Sequence, residues 1–412
     1  MKNTYRVLFV INNLYPYTNA NSSIAYRIAE LLAKRYSCII TIMGYDKEIN
    51  AQYSDDPNWL TTIHMQGLTL RESQLYANMS RLERDKNYIL HPLKHSYQYR
   101  ELISRIKKQN STVNEYRYNI EKTLKKEKYD VIIGFSNPTE IPKALADAKI
   151  ATPFILYKLD PWGTHVTNRG NEEEKQLEYK ADSKASAIIT TEIIKDEYIA
   201  SKSIFNEKVY GLGFPCIVKR INSPFKKRFD KSKTNCVYTG GLYKTVRNPD
   251  FMIKCFDMLK NDGIVLHIYG RLYEGLTIDY LPSNVFYHGE VPEAEAVEIT
   301  SEADVLVNIG NTVKNQMPSK IFTYFSTGKP IVNIEKLVDS PSMDYMKRYP
   351  LAINVKETEA PSKELIDDIK RFILRSKGNH IPFEDVKERF LEYTPDYIGS
   401  EVYKIIRNVV QQ

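Results

Sequence analysis

Short runs of apolar and β-branched residues recur along this chain, and each is followed by a polar turn and a segment with helical periodicity. The first run is 5–11, the first helical segment is 24–35, and a second apolar run follows at 38–42. Continuous apolar runs of this length are typical of strands that are buried on both faces of a parallel sheet. The order strand, helix, strand therefore predicts a βαβ unit and an α/β fold.

The alternation occurs in two halves of the chain. Strands at 129–134, 154–157 and 187–190 continue the first half, and residues 208–233 then break into glycine, proline and charge. A second series of strands begins at 235 and includes 264–270, 284–288, 303–309 and 331–334, with helices at 249–259 and 293–301 between them. We therefore predict two Rossmann-like domains in tandem, 1–207 and 208–389. The stretch 385–409 is predicted to form one amphipathic helix. We expect the C-terminal segment 390–412 to pack outside the second domain or to cross back to the first.

Composition narrows the class of protein. The 412 residues are 42% hydrophobic and 26% charged, which describes a soluble globular protein with enough chain for two cores. The apolar run at 7–11 is too short for a secretory or membrane-spanning segment. The 4 cysteines show no CxxC spacing, which argues against a disulfide framework and a zinc site. These features predict a cytoplasmic protein with reduced thiols.

Basic residues are concentrated at 100–128 within a chain of formal net charge +7. This segment has two interpretations: a surface for an anionic membrane or substrate, or the solvated face of one or two helices. No basic aromatic platform or helix-turn-helix pattern accompanies it, so we expect no nucleic-acid partner.

Two turns in the second half place a basic residue where a ligand is expected. Lys320 follows the predicted strand 304–309 and begins a helix that Ser319 would cap and Gly328 would end. A cation at a helix start costs a few tenths of a kcal/mol unless an anion binds there, although a solvated lysine is the simpler alternative. The other turn carries Gly240 and Gly241, which allow close approach of a ligand, and Arg247, whose guanidinium suits phosphate. Together the two turns predict a diphosphate site.

The residues of these turns resemble motifs of the retaining glycosyltransferases with the GT-B fold, in particular the family 4 group of bacterial polysaccharide enzymes. The resemblance rests on Gly240-x-Leu242-x4-Arg247-Asn248, on Pro318-Ser319-Lys320-Ile321-Phe322-Thr323-Tyr324-x3-Gly328-Lys329-Pro330 and on His288-Gly289-Glu290-Val291-Pro292. It is specific over about 235–335. It implies an α/β architecture of two Rossmann-like domains whose parallel sheets face a central cleft.

The resemblance also implies a function. It indicates a metal-independent hexosyltransferase without a cofactor, which moves a sugar from a nucleotide-diphosphate donor to a saccharide or lipid-linked saccharide acceptor. Retention of configuration, a role in surface polysaccharide or glycan synthesis, and a location at the inner face of the cell membrane are part of the same expectation, with peripheral membrane contact through 100–128.

Site residues follow from the matched positions and from the loops after the predicted strands. The catalytic candidates are Arg247, Lys320 and Asp160, with Asp160 alternatively a turn-forming residue before Pro161. The donor-binding candidates are Gly240, Gly241, Arg247, Val291, Pro318, Ser319, Lys320, Ile321 and Thr323. The acceptor-binding candidates are Asn21, Ser22, Asn137, Asp160 and His165, and no metal ligand is expected because the chain has no Asp-x-Asp and its 91/95 histidine pair lacks a third ligand.

The sequence departs from the family pattern at three places. Gly241 stands where a diphosphate arginine is usual, Thr323 stands where a ribose-binding glutamate is usual, and 18–23 lacks the common Gly-Gly turn. Two other functions therefore remain open: a nucleotide-sugar epimerase of the same fold, and a non-catalytic protein that binds nucleotide sugars.

Overall fold

The computed structural model describes residues 4–14, 20–45, 57–65, 97–160, 162, 171–201, 203–219, 228–314, 317, 319–337, 340 and 342–412. The chain forms two compact units, one of Met1–Gly213 with Pro395–Gln412 and the other of Phe214–Thr394. The sequence placed the divisions at 207/208 and 389/390, whereas the units divide at 213/214 and 394/395.

The first unit contains a parallel sheet of seven strands in the order β3-β2-β1-β4-β5-β6-β7. The strands are β1 (Arg6–Asn13), β2 (Ile39–Tyr45), β3 (Leu60–Met65), β4 (Val131–Phe135), β5 (Phe154–Lys158), β6 (Ala187–Thr190) and β7 (Val209–Gly211). Every residue of β4, β5 and β6 is buried, as the uninterrupted apolar runs predict for strands covered on both faces. Strands β2 and β3 lie on one side of β1, and β4 to β7 lie on the other side, as in doubly wound folds.

The helices of the first unit are α1 (Ala20–Tyr36), α2 (Tyr97–Lys126), α3 (Glu140–Asp147), α4 (Glu172–Lys184), α5 (Glu192–Ala200) and α12 (Pro395–Gln411). The C-terminal helix α12 packs on α1. Tyr36 and Tyr403 stack with ring centroids 4.2 Å apart, and Arg35 pairs with Asp396 at 3.0 Å. At Gly399, a Cβ would lie 2.1 Å from a methyl carbon of Leu31, so any larger residue there requires the Leu31 side chain to move.

The prediction of one helix over 385–409 is wrong. One helix ends at Arg389, a short 3-10 turn covers Leu391–Tyr393, and α12 begins at Pro395. Proline has no N–H to donate and its ring collides with the preceding turn, so it starts a helix well but interrupts one.

The second unit contains a parallel sheet of six strands in the order β12-β10-β8-β13-β14-β15 and a two-stranded parallel sheet of β11 and β9. The strands are β8 (Thr234–Thr239), β9 (Leu242–Tyr243), β10 (Ile264–Tyr269), β11 (Leu272–Tyr273), β12 (Val285–Gly289), β13 (Val305–Ile309), β14 (Ile331–Glu335) and β15 (Ala352–Lys356). The helices are α6 (Asp250–Asp257), α7 (Glu293–Glu302), α8 (Lys320–Phe325), α9 (Ser342–Arg348), α10 (Lys363–Ser376) and α11 (Phe383–Arg389). The α/β prediction with two parallel-sheet domains is confirmed.

The basic segment 100–128 lies mostly on α2, a single helix of 30 residues. Of the helices in the described part of the chain, none combines the length and the apolar character needed to cross a membrane. All 4 cysteines are buried free thiols, and burial raises the pKa of Cys38 to about 11. A thiol in such surroundings stays protonated and unreactive at neutral pH.

Candidate functional site

Three adjacent strands of the second unit end at glycines with positive φ. Gly240 follows β8, Gly270 follows β10, and Gly289 ends β12, with φ of 132°, 149° and 77°. The first two turns touch through their backbones, because a Cβ on Gly270 would lie 1.9 Å from the carbonyl oxygen of Gly240. This edge of the sheet therefore lacks side chains at three neighbouring strand ends, which leaves space for a ligand at the carboxyl ends of the strands.

A cavity of about 210 Å³ opens at these turns. It is lined by Thr239, Gly240, Gly241, Tyr269, Gly270, Arg271, Tyr273, Glu290, Val291, Ala296 and Lys320. Four of the donor-binding candidates thus come together there: Gly240, Gly241, Val291 and Lys320.

The ammonium group of Lys320 lies inside a polar and aromatic cage. Its Nζ donates a hydrogen bond to the carbonyl oxygen of Thr239 and lies 3.8 Å from the ring centroid of Tyr238. Burial and the positive charge of Arg247 lower the pKa of Lys320 well below its ordinary value. Within the described residues this ammonium forms no ion pair with a carboxylate.

Arg247 lies beside Lys320 but outside the cavity lining. Its Nε donates to Oδ1 of Asn311 at 2.7 Å, and its guanidinium lies 5.6 Å from the ring centroid of Tyr243. No acidic side chain of the described residues forms an ion pair with it either. Two like charges placed together without a counterion repel each other, and an anion bound between them removes that repulsion.

The other described donor-binding candidates do not line the cavity. The Ile321 side chain is fully buried, so only its backbone could reach a ligand. Ser319 and Thr323 are half-buried and do not line the cavity. Pro318 lies outside the described residues.

The prediction that Ser319 caps the helix is wrong. The backbone of Ser319 is already helical, with φ −56° and ψ −24°, and its side chain makes no capping hydrogen bond. A capping side chain needs the extended backbone of a residue just before the helix, so the local chain already turns before α8 begins.

Backbone N–H groups of the glycine turn are used unequally. Gly240 donates its N–H to the carbonyl oxygen of Tyr269 at 2.8 Å, and Gly270 donates to that of Gly289 at 2.7 Å. Within the described residues, the N–H of Gly241 donates to no acceptor. The N–H of Gly241 can therefore bond to an anion in the cavity.

The described acceptor-binding candidates belong to the first unit and lie near the carboxyl ends of β1, β4 and β5, which are neighbours in its sheet. Asn21 and Ser22 are buried in the first turn of α1, and the hydroxyl of Ser22 accepts a hydrogen bond from the backbone N–H of Asn13 at 3.4 Å. Asn137 is exposed after β4, and Asp160 is half-buried two residues after β5. His165 lies outside the described residues.

Two buried ionic networks near this edge were not predicted from the sequence. The fully buried Lys158 donates to Glu178 at 2.5 Å, to Asp182 at 3.1 Å and to Tyr198 at 2.7 Å. Burial opposes charge on Lys158, but Asp182 and Glu178 outweigh it and raise its pKa well above the ordinary value. A lysine at the end of the apolar run FILYK was the only signal, and it does not identify the partners.

The second network joins Lys143 and Trp162 through Glu174 at the start of α4. Lys143 donates to one oxygen of Glu174 at 2.8 Å, and the indole N–H of Trp162 donates to the other at 2.6 Å. Both hydrogen bonds lower the pKa of Glu174 despite its burial. The network therefore fixes the indole of Trp162, two positions after Asp160 in the chain.

Among the described residues, no group of three or more His, Cys, Asp or Glu side chains has an arrangement that could hold a metal ion. The 91/95 histidine pair lies outside those residues.

The two parallel-sheet units, with a glycine-lined cavity at strand ends of the second, define the GT-B fold. TarM from S. aureus, in a structure that also contains UDP, matches with a TM-score of 0.59 at 11% identity, over 99% of this chain and 100% of that chain. UDP-GlcNAc 2-epimerase from Methanocaldococcus jannaschii matches with a TM-score of 0.55 at 11% identity, over 98% of this chain and 99% of that chain. The lipopolysaccharide outer core galactosyltransferase WaaB matches with a TM-score of 0.52 at 12% identity, over 98% of this chain and 99% of that chain. No protein-family model matches the chain, and no curated protein sequence does.

Proposed function

We propose that this protein is a glycosyltransferase that transfers a sugar from a nucleotide-diphosphate donor to a saccharide or lipid-linked saccharide acceptor. The observation that carries the proposal is the pair of cations Lys320 and Arg247 beside a glycine-lined cavity. The pair has no carboxylate partner in the described residues, and a diphosphate is an anion of suitable charge and size. Fold neighbours that include a galactosyltransferase and a UDP-containing structure support the same class of donor.

In this reaction the bond between the anomeric carbon and the diphosphate oxygen breaks, and its electron pair leaves with the diphosphate. An acceptor hydroxyl oxygen forms the new bond to the anomeric carbon, and its proton passes to the carboxylate of Asp160 or to the departing diphosphate oxygen. Negative charge grows on the leaving group while the sugar resembles an oxocarbenium ion, so preorganised cations and N–H donors lower the barrier. We assign Lys320, Arg247 and the N–H of Gly241 to the leaving group, and Val291 to the nucleotide base.

Asp160 is the proposed residue for the acceptor hydroxyl or for a sugar hydroxyl, with Asn137 beside it on the next strand end. The donor needs no metal or cofactor in this scheme, because the protein cations supply the charge. Retention of configuration, hexosyl transfer and a role in surface polysaccharide or glycan synthesis belong to the same proposal through the motif resemblance.

The test is turnover with intact nucleotide sugars, measured as released nucleotide and as glycosylated product. Lys320→Ala and Arg247→Ala should each reduce transfer by roughly tenfold or more, and up to about 10³, as for the loss of one transition-state donor. Arg371→Ala is the matched control, since Arg371 pairs with Asp368 on the exposed face of α10, outside the cavity lining. Wild-type rates in both site variants would reject the diphosphate assignment.

Product analysis separates the alternatives. An epimerase of this fold would interconvert nucleotide sugars without an acceptor, and a non-catalytic protein would bind nucleotide without turnover. Glu290 is the only carboxylate among the described residues that line the cavity, and no histidine lines it, which gives little acid–base chemistry for epimerisation there.

We also propose peripheral contact of the basic segment 100–128 with the inner face of the cell membrane. Tyr118 is 61% exposed on α2, and the ammonium of Lys122 lies 5.6 Å from its ring, an arrangement suited to an anionic lipid interface. Co-sedimentation with vesicles that contain anionic lipid should be lost in a Lys122→Glu/Lys125→Glu variant. Equal sedimentation of variant and wild type would contradict the contact.

A further inference from the structure

We propose that Arg271 is a further donor-binding residue, which supplies the positive charge that the glycosyltransferase motif lacks at Gly241. The inference rests on the proposed function, because it assigns Arg271 to the diphosphate of the same nucleotide ligand. Its support is the packing around Gly241 and the place of Arg271 in the cavity.

The space beside Gly241 is already filled by two tyrosine rings. A Cβ at this position would lie 2.9 Å from Cε2 of Tyr273 and 3.2 Å from Cε2 of Tyr243. The two rings stack with centroids 4.6 Å apart and an angle of 8° between their planes, and they belong to the paired strands β9 and β11. A side chain at 241 therefore requires at least one ring of this pair to shift, so a cation reaches the cavity more easily from another position in the chain.

Arg271 comes from the neighbouring strand end. It directly follows Gly270, and its carbonyl oxygen accepts a hydrogen bond from the N–H of Leu242 at 2.9 Å, which fixes its backbone beside the Gly240–Gly241 turn. Its side chain is exposed, and it lines the same cavity as Gly241 and Lys320. Arg271 is at a different position in the chain from the arginine of the family motif, but it lines the cavity that also contains Gly241.

The tyrosine pair holds the guanidinium without consuming its hydrogen bonds. The Arg271 guanidinium carbon lies 5.3 Å from the ring centroid of Tyr273, and that of Arg247 lies 5.6 Å from Tyr243, so each ring has one arginine over it. A guanidinium that rests on a ring keeps its N–H groups available in its own plane, where they can form two parallel bonds to a phosphate.

The local charge favours a polyanion. Arg271, Arg247 and Lys320 are three cations around one turn, and in the described part of the chain none of them has a carboxylate oxygen within 4 Å. Glu290, the carboxylate of the lining, therefore pairs with none of the three. A nucleoside diphosphate matches this arrangement better than a nucleoside, which has no phosphate to place among the cations.

The experiment is calorimetric titration of the full chain with UDP, GDP and ADP, and with uridine, guanosine and adenosine. The variants are Arg271→Ala, Arg271→Lys and the surface control Arg371→Ala. Arg271→Ala should weaken binding of the preferred diphosphate about ten- to hundredfold, the range for a charged hydrogen bond, and leave nucleoside binding unchanged. Arg271→Lys should recover part of the loss, since it keeps the charge but not the two parallel bonds.

The outcomes are distinguishable. If the wild type binds no diphosphate, the proposed function fails, and the inference fails with it. If the wild type binds a diphosphate and Arg271→Ala binds it equally well, the proposed function stands and the role of Arg271 is rejected. A loss that is the same for Arg371→Ala, or the same for nucleoside and diphosphate, also rejects it.

Discussion

Replacing Gly270 with alanine should damage the candidate site far more than the same replacement at Gly263. Both glycines belong to the second unit and both have positive φ, 149° and 69°. A Cβ at Gly263 meets nothing within 4 Å, so alanine there costs only the left-handed backbone conformation, roughly 1–2 kcal/mol. Gly263→Ala is therefore the control for backbone strain.

At Gly270 two costs add. The φ of 149° is unfavourable for any residue with a Cβ, at roughly 1–3 kcal/mol. The Cβ would also lie 1.9 Å from the carbonyl oxygen of Gly240, whereas ordinary contact begins at 3.4 Å, so the turns must separate by about 1.5 Å. Such overpacking costs about 1–3 kcal/mol more, which gives a total on the order of 4 kcal/mol.

Hydrogen exchange followed by mass spectrometry, on peptides that cover β8 and β10, measures this cost within the second unit. We expect a fall of the opening free energy on the order of 4 kcal/mol in Gly270→Ala, against roughly 1–2 kcal/mol in Gly263→Ala, together with loss of nucleotide binding in the former alone. Equal effects of the two substitutions would refute the argument that the strand-end turns touch through glycine.

The remaining predictions concern charge. Burial and Arg247 lower the pKa of Lys320 below its ordinary 10.5, so the affinity for a diphosphate should fall as pH rises through that lowered pKa, and binding should take up protons. Titration calorimetry in buffers of different ionisation enthalpy measures this uptake, and a Lys320→Met variant with the same uptake would contradict it. Burial and His288 lower the pKa of His267 from 6.5 to about 4, so the unfolded chain binds more protons between these values, and stability should fall on acidification from pH 6.5 to 4. His267→Gln should show a flatter pH profile in urea denaturation, and an unchanged slope would count against the buried neutral histidine. Lys158→Met leaves the Asp182 carboxylate buried without its lysine and should cost about 3–5 kcal/mol in thermal denaturation. Lys175→Met, which removes only the exposed pair with Glu172, should cost less than about 0.5 kcal/mol, and comparable losses would refute the distinction.

The fold could be predicted from the sequence because strands that are buried on both faces appear as uninterrupted apolar runs. Runs such as 131–134 and 305–309 have few polar positions, and they alternate with helical periodicity. The amphipathic periodicity of 385–409 continues across Pro395, so the periodicity alone predicts one helix where the structure has two. The small sheet of β9 and β11 was missed because two-residue strands leave no periodic pattern.

The candidate site was only partly accessible to sequence reasoning. Lys320 and Gly240 could be placed because strand ends, glycine and a helix start follow local rules. The cage around Lys320, on α8, depends on Tyr238 and Thr239 of β8, and the stacking of Tyr243 on Tyr273 joins segments 30 residues apart. Contacts between separate strands set which side chain fills the space at Gly241, and no single-strand pattern contains that information. Arg271 had a weak signal, a basic residue directly after a strand-end glycine.

The central claim is that the cavity beside Lys320 holds the diphosphate of a nucleotide sugar. The most direct measurement is the shift of the thermal unfolding midpoint of the purified protein with UDP, GDP, ADP and CMP, compared with the same series on Lys320→Ala. A ligand that binds only the folded protein raises stability with the logarithm of its saturation. The account predicts a shift that is selective for one nucleoside diphosphate and is lost in Lys320→Ala. No shift with any of the four nucleotides, or an equal shift in the variant, would contradict it.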